Sequence, residues 1–192
     1  MIKNIMQIWN SAWSRRWHSN PDMSDTADNL AEHQWTVAMI ALHLKPDCSK
    51  ELLVEALTHD VGEMVAGDLS YDFKINNPEI AEMHKKAENE ARGEMMDMPI
   101  ISGEELSILK ISDWLSSLLW VAKANPDLLN RQDWVDQIQY FKFESLKYGA
   151  SQALKINTII SMALMMAEVG YSPKINLGWK FDKGLEEYAA AN

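Results

Sequence analysis

Apolar residues recur along this chain at intervals of three and four, the spacing of one face of an α-helix. No run alternates apolar and polar positions in the way a half-buried strand would. The pattern predicts a first helix over about Ile2 to Trp13, followed by a loop through 17–29, where Ser, Asn, Asp and Pro accumulate. A second helix is expected from Leu30 to Leu44, stopped near Pro46. A third should start at a Ser49 cap and continue through His59-Asp60 to about Val65. Gly67-Asp68 breaks the periodicity, and an irregular stretch follows. Asn77-Pro78 offers a capping side chain and then proline at the first helical position, opening a helix to about Asp97. Ser102-Gly-Glu-Glu105 has the spacing of a capping box and begins a helix through about Ala124. Two more helices fall within 127–148 and 151–168; the tail after Gly170 reads as irregular until a short helix near the end. With no internal repeat and no long linker, the 192 residues are expected to form one compact all-α domain.

Charge narrows the partners. A formal net charge of −10 repels a polyanion, so duplex DNA or RNA is not expected as a ligand. The basic clusters are short, Arg15-Arg16 and Lys85-Lys86. Eight tryptophans raise the idea of stacking on single-stranded bases, but several sit at helical spacing among leucines, which assigns most of them to the core. The most apolar stretch, Ile156 to Ala167, is interrupted by Asn157, Thr158 and Ser161 and is shorter than the ~20 residues of a membrane span. Residues 1–13 suit an amphipathic helix better than a signal peptide. The single cysteine, Cys48, allows no internal disulfide, and a cytoplasmic protein is expected.

The chemistry-bearing residues lie in the first two thirds of the chain. In Leu57-Thr-His59-Asp60-Val-Gly-Glu63, a helical reading puts His59, Asp60 and Glu63 on one edge. An imidazole and a neighbouring carboxylate suit Zn, Mn, Co, Ni or Fe, and the oxygens alone suit Mg. His33 shares a helix face with Val37, Ile40 and Leu44 and should point inward. Asp113 falls in a helix apolar on nearly every side, a buried helix, where an ionised carboxylate costs several kcal/mol unless it meets a cation or several donors.

His33, then His59-Asp60, then Asp113, on successive helices, resembles the H…HD…D signature of the HD-domain phosphohydrolases. Arg16-Trp17, Glu32-His33, His59-Asp60-x-x-Glu63, Gly67-Asp68-Leu69 and Lys74 narrow the likeness to bacterial 5′-deoxynucleotidases and small phage deoxynucleoside triphosphohydrolases. It covers about residues 14–122; the chain beyond carries no motif. The resemblance implies an HD-domain helical bundle that hydrolyses deoxynucleoside 5′-phosphates, releasing deoxynucleoside with either phosphate or triphosphate. It implies one divalent cation held by His33, His59, Asp60 and Asp113. Glu63 would orient or deprotonate the attacking water or handle a proton on the leaving group, and Asp68 would bond near the sugar and that water. Arg16, or its neighbour Arg15, and Lys74 would meet phosphate oxygens, and Trp17 would disfavour a 2′-hydroxyl. The chain departs from this pattern at Ser70-Tyr71-Asp72-Phe73-Lys74, which has no proline and an extra acid at the phosphate end. A homo-oligomer is implied too, with Tyr171 and Trp179 available for an interface. The host cytoplasm would be its place if the chain is phage-encoded.

Four other features have plainer readings. Glu88 has two readings, support for the site from behind the ligands and, favoured, a solvated helix face beside Lys85, Lys86, Glu90 and Arg92; His18, His43 and His84 are read as structural or surface residues. Rival functions are weaker. A regulatory HD protein with little turnover should have lost Glu63 or a ligand, and all are present. A single-strand binder needs a basic groove. A phosphodiesterase acting on dinucleotides accounts less well for Arg16-Trp17 and Gly67-Asp68-Leu69.

Overall fold

Residues 1–170 are described by a computed structural model, so the expected tail with Tyr171 and Trp179 lies outside the described residues. The chain forms α1 (Ile5–Ser11), α2 (Leu30–Leu44), α3 (Lys50–Ala56), α4 (Glu63–Ala66), α5 (Tyr71–Asn76), α6 (Pro78–Met95), α7 (Gly103–Ala124), α8 (Gln132–Ser145) and α9 (Ala150–Val169). Short 3₁₀ turns at Pro126–Asn130 and Leu146–Tyr148 flank α8. Among the described residues there is no sheet, only isolated bridges joining Ile2 to Met96 and Arg15 to Asn29.

The nearly all-round apolarity of α7 places it at the centre, with α2 and α9 against it. Val37, Ala41 and Leu44 of α2 meet Ile111, Leu115 and Leu118 of α7, and Ile156 and Ile160 of α9 complete this core. Helix α2 has the predicted limits: Asn29 caps it by accepting from the Glu32 backbone N–H at 3.1 Å.

Elsewhere local contacts override the pattern. The first helix starts at Ile5 rather than Ile2, because Ile2 bridges to Met96 and Asn4 takes the cap by accepting from Gln7 N at 3.1 Å. The expected third helix breaks before the residues of interest. α3 ends at Ala56, and the next hydrogen bonds tighten to three-residue turns: Thr58 N to Glu55 O at 3.0 Å, Val61 N to Thr58 O at 3.3 Å, Glu63 N to Asp60 O at 2.9 Å. Thr58 donates its hydroxyl back to the Val54 carbonyl at 2.6 Å, a bond that bends helices. Gly62 lies so close to α6 that a Cβ there would collide with the Glu88 carbonyl. His59 and Asp60 therefore ride on a tight turn, not on a helix edge. The stretch after Gly67 contains α5, capped by Ser70, and Asn77 does not cap α6; its amide nitrogen donates to Phe73 O at 3.0 Å.

Most of the described tryptophans belong to the core or pack against it, as expected. Trp114 and Trp134 are buried and Trp17 and Trp120 pack partly against the core, whereas Trp9, Trp13 and Trp35 are exposed.

The capping box is present and does more than cap. Glu105 accepts from Ser102 N at 3.1 Å through one oxygen and from Ser49 N at 3.0 Å through the other, tying the starts of α7 and α3 together. Those bonds hold its carboxyl down, at about 2. A depressed value means that the stabilisation is present above the ordinary Glu range and is lost as pH falls through about 2. Glu105→Ala is expected to cost about 1–2 kcal/mol, the range for a lost cap, read as a lowered urea midpoint at neutral pH.

No helix among the described residues is long and apolar enough to cross a membrane.

Candidate active site

Four side chains from three elements converge behind α7. His33 enters from the first turn of α2, His59 and Asp60 from the tight turn after α3, and Asp113 from mid-α7. His33 Nε2 is 3.5 Å from Asp60 Oδ2 and 3.1 Å from Asp113 Oδ1; His59 Nε2 is 3.3 Å and 3.9 Å from the same two oxygens. Both Nε2 atoms are buried and make no aligned hydrogen bond despite this proximity. Ring nitrogens and carboxylate oxygens thus cluster within 3.1 to 3.9 Å of each other. His59 Nδ1 meets the Ala56 carbonyl at 3.0 Å; a carbonyl only accepts, so Nδ1 carries a hydrogen and the neutral ring keeps its Nε2 lone pair for the centre. His33 Nδ1 is held by the Ser116 hydroxyl at 3.1 Å. Donor atoms of His33, His59 and Asp60 lie within 4.8 Å of one another, an arrangement that could hold a metal ion. The two imidazoles with orphaned buried nitrogens and the Asp60 carboxylate fit a divalent cation of the Zn, Mn, Co, Ni or Fe kind, with Asp113 beside them.

Asp113 corrects one expectation. It belongs to the buried central helix, yet its side chain keeps 42% of its exposure, because it forms the wall of a cavity of about 690 Å³. Arg16, Trp17, Asp68 and Lys74 line the same cavity. Arg16 is the arginine that turns in, and Arg15 is exposed. Burial works against the Arg16 charge, but Asp60, Asp113, Asp28 and Glu63 outweigh it and strengthen the cation. Its Nε makes no hydrogen bond, and its Nη1 lies 3.5 Å from the Asp28 carboxylate. Lys74 Nζ lies 3.6 Å from Asp68 Oδ1, within reach of the cavity mouth.

Trp17 adopts φ 62°, a left-handed conformation costly for a bulky residue. Asp28, buried at 2% exposure, holds it there: its carboxylate accepts from Trp17 Nε1 at 2.9 Å and lies 3.5 Å from Arg16 Nη1. In the sequence Asp28 is one more acid in a polar loop, and only the folded loop shows its role.

Glu63 is largely buried on α4. Loss of water contact raises its carboxyl first, the charges of Asp60 and Asp68 raise it further, and Arg16 opposes, with a net rise to about 10. Gly67, at φ 79°, lets the chain leave α4 and bring Asp68 to the cavity.

A second layer comes from α6. Glu88 is buried rather than solvated: His84 Nδ1 lies 3.0 Å from it and Lys85 Nζ 2.8 Å. His84 Nε2 meets the Ala66 carbonyl at 3.1 Å, which makes His84 a structural tie between α6 and α4. One turn on, Arg92 binds Glu55 with both terminal nitrogens, at 2.8 and 2.6 Å, and donates to the Thr58 hydroxyl at 2.9 Å. This clamp grips the residue immediately before His59. His18 and His43 are exposed and lie outside the site.

The profile of a family described as 5′-deoxynucleotidase YfbR-like matches residues 8–123. Among curated proteins, a 5′-deoxynucleotidase of Pasteurella multocida is 35% identical over 81 residues, 36% of this chain and 40% of that protein. A 5′-deoxynucleotidase of Vibrio cholerae is 33% identical over 84 residues, 39% of this chain and 43% of the relative. One from Photorhabdus temperata is 29% identical over 116 residues, 48% of this chain and 59% of its own. The chain thus spans about two fifths to three fifths of the length of these relatives. No solved structure matches it.

Proposed function

The chain belongs to the YfbR-like 5′-deoxynucleotidase family, and we propose that it hydrolyses deoxynucleoside 5′-monophosphates to deoxynucleoside and phosphate, using a divalent cation held by His33, His59, Asp60 and Asp113. The observation that carries this reading is the pair of orphaned histidine nitrogens facing two carboxylates beside a buried arginine whose Nε makes no hydrogen bond. A cation bound there supplies a Lewis acid for a phosphoryl oxygen and acidifies water. Arg16 turns its charge toward the phosphate and neutralises charge that grows as the P–O5′ bond breaks. Glu63, one turn after Asp60, orients or deprotonates the attacking water or handles a proton on the departing 5′-oxygen. Asp68 accepts a hydrogen bond from the attacking water and aligns it, while Lys74 sets the Asp68 carboxylate and meets an outer phosphate oxygen.

The cavity favours one phosphate over three. Beyond the four converging residues its wall carries Asp68, Asp72, Asp133 and Asp136. The cations there are already engaged, Lys74 with Asp68 and Arg131 with Asp22 and Asp133. Two more phosphates would meet Asp72 and Asp136, which have no ion-pair partner among the described residues. The homo-oligomer implied by the resemblance remains part of this reading, supported by exposed Trp9, Trp13 and Trp35, and light scattering tests it.

The decisive assay adds Mg, Mn, Co or Zn to metal-free protein with each deoxy- and ribonucleoside mono- and triphosphate, and separates the products. Cation-dependent release of deoxynucleoside and phosphate is expected. Triphosphate as co-product would overturn the choice of substrate, and no turnover with any cation would overturn the hydrolase reading. Trp17→Ala is expected to raise the ribonucleotide-to-deoxynucleotide ratio of kcat/KM about tenfold, because the ring crowds the 2′ position.

A further inference from the structure

The cavity does not end at the phosphate residues. It continues along α8, past the matched stretch 8–123, where Trp134, Gln137, Tyr140 and Phe141 line it together with Trp17 and Asn20. Helix α8 presents these groups in a fixed arrangement. Trp114, next to Asp113 on α7, stacks on Phe141 with ring centroids 4.0 Å apart and planes 22° from parallel. Tyr140 stands edge-on to Phe141 at 5.1 Å and remains exposed. Trp114 Nε1 donates to Gln137 Oε1 at 3.0 Å.

That last bond settles which way the Gln137 amide faces. An indole N–H can only donate, so the amide must offer it oxygen. The amide nitrogen, with two hydrogens, is then left without a protein partner among the described residues, on a side chain that lines the cavity. A flat aromatic wall with one oriented donor beside it matches the needs of a nucleobase: stacking surface, and a hydrogen bond to a ring nitrogen or carbonyl oxygen. Resting on the hydrolase reading, we propose that Gln137 is a specificity-determining residue, whose amide nitrogen donates to an acceptor on the base of the bound deoxynucleotide.

Gln137→Glu isolates this role. A carboxylate oxygen still accepts from Trp114 Nε1, so the Trp114 tie is kept, but the group facing the cavity changes from donor to acceptor. Its added charge repels every phosphate ester alike, so deoxyribose 5-phosphate, which has no base, serves as the reference substrate. In the wild type, each of the four deoxynucleotides should exceed deoxyribose 5-phosphate in kcat/KM. In Gln137→Glu that advantage should fall about tenfold, the usual loss when one oriented hydrogen bond is replaced by an unmatched group, and the ranking of the bases should change. Gln137→Met, which lacks both functions, should lose the same advantage and lower the melting temperature through the freed Trp114 N–H. An unchanged ratio and ranking in a folded Gln137→Glu protein would overturn the proposal. Calorimetry with the four phosphate-free deoxynucleosides separates the two readings. If the wild type hydrolyses nothing but binds deoxynucleosides in a Gln137-dependent way, the hydrolase reading fails and this one stands. If Gln137→Glu leaves that binding unaltered, or if the wild type binds none of them, the Gln137 proposal is overturned.

Discussion

Asp60→Ala is expected to abolish cation-dependent turnover, with a fall of about 10³-fold or more, because a Lewis acid is worth several kcal/mol and each 1.4 kcal/mol is tenfold in rate. Asp60 lies within 3.5 Å of both histidines, 3.3 Å from His59 Nε2 and 3.5 Å from His33 Nε2. Without it the donor set loses an anionic oxygen and a cation keeps too few ligands. Cobalt titration followed by its visible spectrum should show weaker, more solvated binding in the variant. Full activity with unaltered cobalt affinity would remove Asp60 from the ligand set.

The same cluster gives a pH signature in metal-free protein. Burial disfavours a charged His59, but Asp60 and Asp113 outweigh burial and push it up to about 9. A folded value above the unfolded one stabilises the protein fully below about 6.5, and that contribution is lost as pH rises through about 9. Metal-free protein should therefore lose stability between pH 7 and 9. A cation must expel the same proton, so its affinity should rise across that window. Urea unfolding and metal titration at several pH values measure the two opposing trends.

Arg92→Leu should be the most destabilising single change in the supporting layer, about 3–5 kcal/mol, the cost of breaking a buried ion pair from one side. It leaves the Glu55 carboxylate, only 15% exposed, without its two bonds and the Thr58 hydroxyl without its donor. Thr58 precedes His59, so the turn should also loosen and metal affinity fall by about 10- to 100-fold, the usual effect of losing a group that orients a ligand. The double variant Arg92→Leu, Glu55→Leu should recover much of the stability, since no unpaired charge remains. It should not recover metal affinity, because Thr58 still lacks its tie. Recovery of both would make Arg92 a purely structural residue.

Several results depend on distance along the chain. The helical class, the limits of α2 and the capping box at Ser102 and Glu105 rest on side chains acting within a few residues of themselves, and each was readable from spacing. The grouping of His33, His59-Asp60 and Asp113 came instead from the likeness of their order to the HD-domain signature, and the helix edge that spacing gave for His59, Asp60 and Glu63 is a tight turn. That turn arises from contacts with α6, where Arg92 takes Thr58 and the Glu88 carbonyl fills the space beside Gly62. Neither contact leaves a mark in the local pattern, because the partners are more than twenty positions away. Glu88 shows the same limit: it stands among charged neighbours in sequence, yet α4 closes over it.

Periodicity, capping and donor chemistry are local properties, so the helical architecture and the residue types that can hold a cation were legible in the chain. Packing settled which arginine lines the cavity, that Asp28 fixes Trp17, and that Asp113 opens onto that cavity. It alone brought α8 to that cavity and aimed the Gln137 amide. These are choices between chemically equal neighbours, Arg15 against Arg16 or one end of an amide against the other. Only distant partners brought together by packing of the core can make them.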